Sequence, residues 1–178
     1  MFHERGVEKT TLADIAAAAD VPAGNVFYYF KTKDALVSAV LGAYGDTHGT
    51  LRLGLDRRET PQGRLKALLQ GWAANSELLA KHGCPVGSLA SELGKREDSL
   101  HGQAAEVLSQ VINWIEEQFA AMGREDAREL AVALVSAYEG VALLANALQD
   151  PGLVTTEIRR LERWIGTLAL ESPATSPG

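Results

Sequence analysis

The chain has 178 residues, 46% of them apolar and 22% charged, a balance that supports a real hydrophobic core. A formal charge of −6 and a pI near 5.2 argue against bulk attraction to nucleic acid or acidic lipid, but allow a small positive site. The lone Cys84 cannot close an internal disulfide, which fits a reducing cytoplasm, and MFHERGVEKT lacks the apolar run of a signal peptide.

Helical spacing recurs along the chain, and strand-type alternation is scarce. Leu12, Ile15, Ala16 and Ala19 share one face of a helix, which Thr11 and Asp14 open as a capping box. The helix is expected to stop at Ala18 or Ala19, with Asp20 taking a left-handed turn. Pro22 suits the first turn of a second helix reaching Tyr28 or Tyr29. Thr32 caps a third, whose apolar face is Leu36, Val37, Val40, Leu41 and Tyr44.

Two short helices joined by a tight turn form a helix-turn-helix plan, with the second helix directed at a major groove. Val21, Val26 and Phe30 are expected to pack on Leu12, Ile15 and Ala16. Tyr28 and Tyr29 then offer hydroxyls to phosphates, Gly24 permits close approach, Asn25 suits an adenine edge, and Lys33 adds a cation. Two facts weigh against this: clustered aromatics commonly serve a core, and acidic side chains outnumber basic ones across residues 1–41.

Beyond a Gly-rich segment at 45–60, expected to hold a linking helix from Asp46 to Leu55, Pro61 opens a helix. Its face carries Leu65, Leu68, Leu69, Trp72, Asn75 and Leu79. Cys84-Pro85 breaks the pattern and SLASELGKRED restarts it. A long helix at 103–122 turns Val107, Leu108, Val111, Trp114, Ile115, Phe119 and Met122 inward. Two more helices follow at 125–148 and 154–170, separated by Asp150-Pro151-Gly152. ESPATSPG reads as a disordered polar tail. The stretch Leu130–Leu148 is long enough for a membrane span. However, Ser136, Glu139 and Asn146 interrupt it, and a charge at mid-membrane costs about 2.5–3.5 kcal/mol.

Trp72, Asn75, Cys84, Trp114, Phe119, Tyr138, Glu139 and Asn146 are candidates to line a mainly apolar pocket with a few polar groups. Plain packing explains the aromatics equally well. The polar members need partners, because an unpartnered inward Glu139 or Asn146 is costly. Cys84 reads as a sensor thiol, a ligand contact or packing, with packing the simplest. His3, His48, His82 and His101 lack metal-ligand spacing, and no nucleophile elbow, P-loop or carboxylate pair is present. Neither cofactor nor metal nor enzyme activity is expected.

The stretch GVEKTTLADIAAAADVPAGNVFYYFKTKDAL resembles the DNA-binding domain of TetR-family transcriptional regulators, about thirty residues matching without a gap. The resemblance implies that Thr11, Ala23, Gly24, Asn25, Phe27, Tyr28, Tyr29 and Lys33 lie at or near DNA. Ala23 stands where a polar residue is common, and Pro22 replaces a serine cap. MFHERG matches only the last turn of the family's first helix, so the natural start is expected about a dozen residues upstream. A second segment, GCPVGSLASEL, resembles a motif in the ligand-binding half of one subgroup, which includes repressors relieved by small hydrophobic or aromatic compounds. The family's last two helices pair across a twofold axis, which assigns dimerisation to Leu134, Val141, Leu148, Leu161, Trp164, Ile165 and Leu168.

The expected protein is therefore all-α: a helix-turn-helix domain at 1–44, a ligand-binding and dimerisation domain at 45–171, and a tail at 172–178. It would act as a cytoplasmic homodimer that binds a palindromic operator as a repressor and is released by a small, mostly apolar or aromatic effector. The alternative is a ligand-binding or protein-interaction dimer that no longer binds DNA.

Overall fold

The computed structural model describes residues 1–96 and 98–170, and the expected polar tail lies outside them. The described residues form helices without strands: α1 (Phe2–Arg5), α2 (Leu12–Ala18), α3 (Ala23–Tyr29), α4 (Lys33–Leu55), α5 (Pro61–Ala73), α6 (Ser76–His82), α7 (Pro85–Leu93), α8 (Ser99–Ala121), α9 (Ala127–Leu148) and α10 (Pro151–Leu170).

Local chemistry sets many of the helix starts. Thr11 Oγ1 accepts the Asp14 amide at 3.1 Å, and Asp14 Oδ2 accepts the Thr11 amide at 2.9 Å, completing the capping box. Asp20 takes φ +54° and turns the chain out of α2. Pro22 is the N-cap of α3, one residue ahead of the position expected for it, because its ψ of 134° is extended. Thr32 caps α4 by accepting the Ala35 amide, and Thr60 caps α5 by accepting the Gly63 amide, each at 3.1 Å.

Long-range packing overrides the sequence pattern in several places. α4 runs unbroken for 23 residues through Gly42, Gly45, Gly49 and Gly54, where a break near residue 45 is expected. Each interior glycine costs about 1 kcal/mol relative to alanine, and packing along α8 holds the helix together. The 44/45 boundary thus falls inside a continuous helix. Conversely, the single helix expected through Leu79 divides at Asn75, whose side-chain amide donates to the Gly71 carbonyl at 2.9 Å. α7 begins at Pro85, α8 at Ser99 and α10 at Pro151, all earlier than expected. Gln149 at φ +54° makes the last of these reversals.

Two buried clusters result. Phe2, Val7, Leu12, Leu36, Val37 and Leu41 of the N-terminal head are closed by Leu89 and Leu93 of α7 and Leu100 and Ala104 of α8. The larger cluster joins α5, α6, α8, α9 and α10. α9 is long and apolar enough to cross a membrane by composition, yet Ala131, Leu134, Ala142 and Ala145 are buried against its own chain.

That burial corrects the expected dimer face. Leu134, Val141, Leu161, Ile165 and Leu168 all lie in the chain's own interior, and Trp164 is half-buried with its ring tilted against Phe119, centroids 6.0 Å apart. Of the expected set only Leu148 is exposed. It lies on the outer side of α9 with Val132, Leu143 and Leu144. A helix apolar on all sides has two apolar faces, and spacing alone does not say which faces inward.

Candidate functional site

The head presents α3 outward. No α3 residue is buried; Phe27 is 48%, Tyr28 71% and Tyr29 75% exposed, an unusual display for aromatics. Val26 and Phe30 are half-buried against the head cluster, whereas Val21 is 39% exposed, contrary to the expected packing on α2. It sits on the turn, where its amide closes onto the Ala16 carbonyl at 3.0 Å. The Tyr28 and Tyr29 rings meet edge to face at 5.2 Å, and Lys31 Nζ lies 5.4 Å from the Tyr28 ring centre. A Cβ at Gly24 would meet nothing within 4 Å, leaving backbone accessible beside Ala23 and Asn25.

Two residues assigned to this surface are engaged within the protein. The Thr11 hydroxyl donates to Asp14 Oδ2 at 2.6 Å. Lys33 is not the free cation expected: its Nζ donates to the Val7 carbonyl at 2.8 Å and the Glu8 carbonyl at 3.1 Å. It straps the loop after α1 to the start of α4. The same loop is held from the other side by Glu92 of α7, whose carboxylate accepts the Val7 amide at 2.9 Å and the Glu8 amide at 3.1 Å. Arg96 adds a two-pronged pair to Asp34, at 2.8 and 3.2 Å.

A cavity of about 540 Å³ lies behind the head, walled by α1, α4, α5, α6, α8, α9 and the start of α7. Trp72 and Tyr138 stack along one wall, centroids 3.9 Å apart and planes within 22°. Next to them Cys84 and Glu139 line the same cavity, and Cys84 Sγ accepts the Gly87 amide at 3.4 Å. Burial pushes the Glu139 carboxyl above its ordinary range. Burial and the nearby Glu139 push the Cys84 thiol up to about 12, so it stays protonated at neutral pH and lacks the thiolate a reactive sensor needs. Glu139 fits there because residue 87 is glycine: a Cβ would stand 2.0 Å from Glu139 Oε2.

Trp72, Asn75, Cys84, Tyr138 and Glu139 thus share this cavity, while the other three candidates lie elsewhere. Trp114 donates from Nε1 to Asp56 Oδ1 at 3.1 Å, beside a smaller cavity of about 170 Å³ between α4 and α8. Phe119 is core. Asn146 donates to the Ala80 carbonyl at 3.0 Å and borders an adjacent cavity of about 390 Å³. Tyr44, Leu108 and Val111 also line the main cavity; their inward spacing was readable, but not which space they face. His3 and Glu4 enter from α1 without any sequence signal.

Comparison with known proteins agrees with this layout. The family model for bacterial regulatory proteins of the tetR family matches residues 1–40, and that for the LmrA/YxaF-like transcriptional regulator C-terminal domain matches residues 61–156. The chain is 30% identical to the HTH-type transcriptional repressor DhaR of a Mycobacterium species, over 62% of this chain and 55% of that protein. It is 39% identical to the HTH-type transcriptional regulator TtgR of Pseudomonas putida, over 38% of this chain and 33% of that one. The matches thus span about half and a third of these relatives' lengths. A TetR transcriptional regulator from Legionella pneumophila shares the fold, with a TM-score of 0.80 at 20% identity over 93% of this chain and 89% of that one. With the outward α3, the strapped head and both family domains in place, the chain belongs to the TetR family of bacterial transcriptional regulators.

Proposed function

We propose that the protein is a homodimeric, effector-responsive repressor that binds a palindromic operator through α3. The observation that carries this reading is the outward display of Phe27, Tyr28 and Tyr29 on α3, in a head whose N-terminal loop is held from α7 and α4. Tyr28, Tyr29 and Lys31 offer phosphate contacts and Asn25 a base-edge contact. Thr11 and Lys33 act mainly by fixing the frame. Two copies joined through the exposed α9 face, at Val132, Leu143, Leu144 and Leu148, set their α3 helices about 34–36 Å apart, one turn of DNA.

The cavity beside Trp72 and Tyr138 takes a small, mostly apolar or aromatic effector. α7 links it to the head: Cys84 caps the helix in the cavity wall, and Glu92 near its other end holds Val7 and Glu8. An effector that favours a different α7 setting moves the head and releases DNA, and by linkage DNA weakens effector binding equally. DhaR, named a repressor, supports the direction of control.

The test is Leu108→Trp, which fills the cavity from α8. It should retain operator binding but lose effector-driven release. Release that persists unchanged in this variant would remove the cavity from the mechanism. The competing reading, a sensor that has lost DNA binding, draws on the internal engagement of Lys33 and Thr11. It predicts no specific complex with DNA at any salt concentration.

A further inference from the structure

The charges around the main cavity are one-sided. Glu4 and Glu139 line it, and no lysine or arginine does. The His3 and His48 rings are held below the ordinary imidazole pKa, chiefly by burial, so neither supplies a standing cation at neutral pH. His82 faces Glu4, with Nε2 3.9 Å from Oε1. That leaves Glu139 without a counter-charge: among the described residues no lysine, arginine or histidine pairs with it. Cys84, which lines both cavities with it, brings only a weakly polar thiol. Lys95 borders the neighbouring cavity, which Glu139 also touches, but makes no ion pair with it.

A carboxylate on an apolar wall without a cation is costly. Here the carboxylate lies directly over Gly87, where a Cβ would stand 2.0 Å from Oε2. Beside it Trp72 and Tyr138, stacked on each other with centroids 3.9 Å apart, line the same cavity, and aromatic rings attract cations. From the unpaired Glu139 carboxylate, the aromatic wall and a lining without lysine or arginine we infer that the effector is a cation: a flat aromatic body carrying a protonated amine or quaternary nitrogen that sits against Glu139. The inference rests on the cavity being the effector site. It also narrows that reading, because acidic and neutral aromatic compounds of the same size become poor ligands.

A matched pair of probes tests it on the full chain: N-methylquinolinium, permanently charged, and methylnaphthalene, its uncharged isostere. Dissociation constants are read by equilibrium dialysis at neutral pH, for the wild type and for Glu139→Gln. The wild type should bind the cation more tightly than the isostere by roughly tenfold or more. Glu139→Gln should erase that preference while leaving methylnaphthalene binding within about twofold, a readout that a general packing defect would not give. If the wild type prefers the neutral probe or binds both equally, the cation inference falls and the cavity reading stands. If the preference survives in Glu139→Gln, the assignment to Glu139 is wrong. Failure of both probes to bind the folded wild type overturns the cavity reading and this inference together.

Discussion

The Glu92 carboxylate bonds the backbone amides of both Val7 and Glu8, residues some 85 positions away, tying the last turn of α7 to the loop ahead of the helix-turn-helix. Gly6, at φ +86°, takes the left-handed backbone that sets this loop beside the same carboxylate. The head therefore does not hang from α4 alone. Glu92→Ala strands two amides, one of them partly buried, and should cost about 1–3 kcal/mol. Urea denaturation should show that loss. Operator affinity should fall with it, while the dimer constant from sedimentation stays unchanged.

Lys33 and Lys31 should separate by salt dependence. Lys33→Ala removes the strap to the Val7 and Glu8 carbonyls and should weaken DNA binding by loosening the frame. The slope of log affinity against log salt should remain as in the wild type. Lys31, exposed beside Tyr28, should behave as a phosphate contact, and Lys31→Ala should lower the slope by about 0.9 per subunit. A slope change for Lys33 and none for Lys31 would exchange their roles.

Much of the head was legible in the sequence because its signals are local. Thr11 and Asp14, Asp20 and Thr32 each act within a few residues of themselves. What was not legible depends on partners distant in sequence. The glycines of α4 suggest a break that packing on α8 prevents, and the division at Asn75 follows a bond to Gly71. Trp114 and Phe119 follow the same inward periodicity as the cavity residues, but periodicity does not say which interior space a side chain meets. Trp72, Cys84, Tyr138 and Glu139 were easier to group, since polar atoms on apolar faces demand an explanation.

The two faces of α9 should respond differently to substitution. Leu134 is fully buried within the chain, so Leu134→Ala should destabilise the fold by about 2–5 kcal/mol. Leu144 is 54% exposed. Leu144→Glu should leave each protomer folded by circular dichroism and shift sedimentation toward the monomer, with operator affinity falling in step. A Leu144→Glu protein that stays dimeric would place the interface elsewhere.

Glu139 should make stability depend on pH in a direction opposite to most carboxylates. Burial raises its pKa in the folded state above the ordinary value of 4.5. The folded state therefore holds the proton more tightly than the unfolded chain. Stability is greatest below about 4.5 and declines as pH climbs from there through the raised folded value. Glu139→Gln lacks this titration. Its melting temperature relative to wild type should rise between acid and neutral pH. A difference that stays flat across that range would place Glu139 in a better-solvated setting.

The central claim is that α3 meets DNA. The most direct measurement is a mobility-shift titration with DNA flanking the protein's own gene, at two salt concentrations and with excess unrelated competitor. The expected complex survives competitor, weakens steeply with salt and loses affinity in Tyr29→Phe without loss of the dimer. A folded, dimeric protein that gives no competitor-resistant complex at either salt would contradict it.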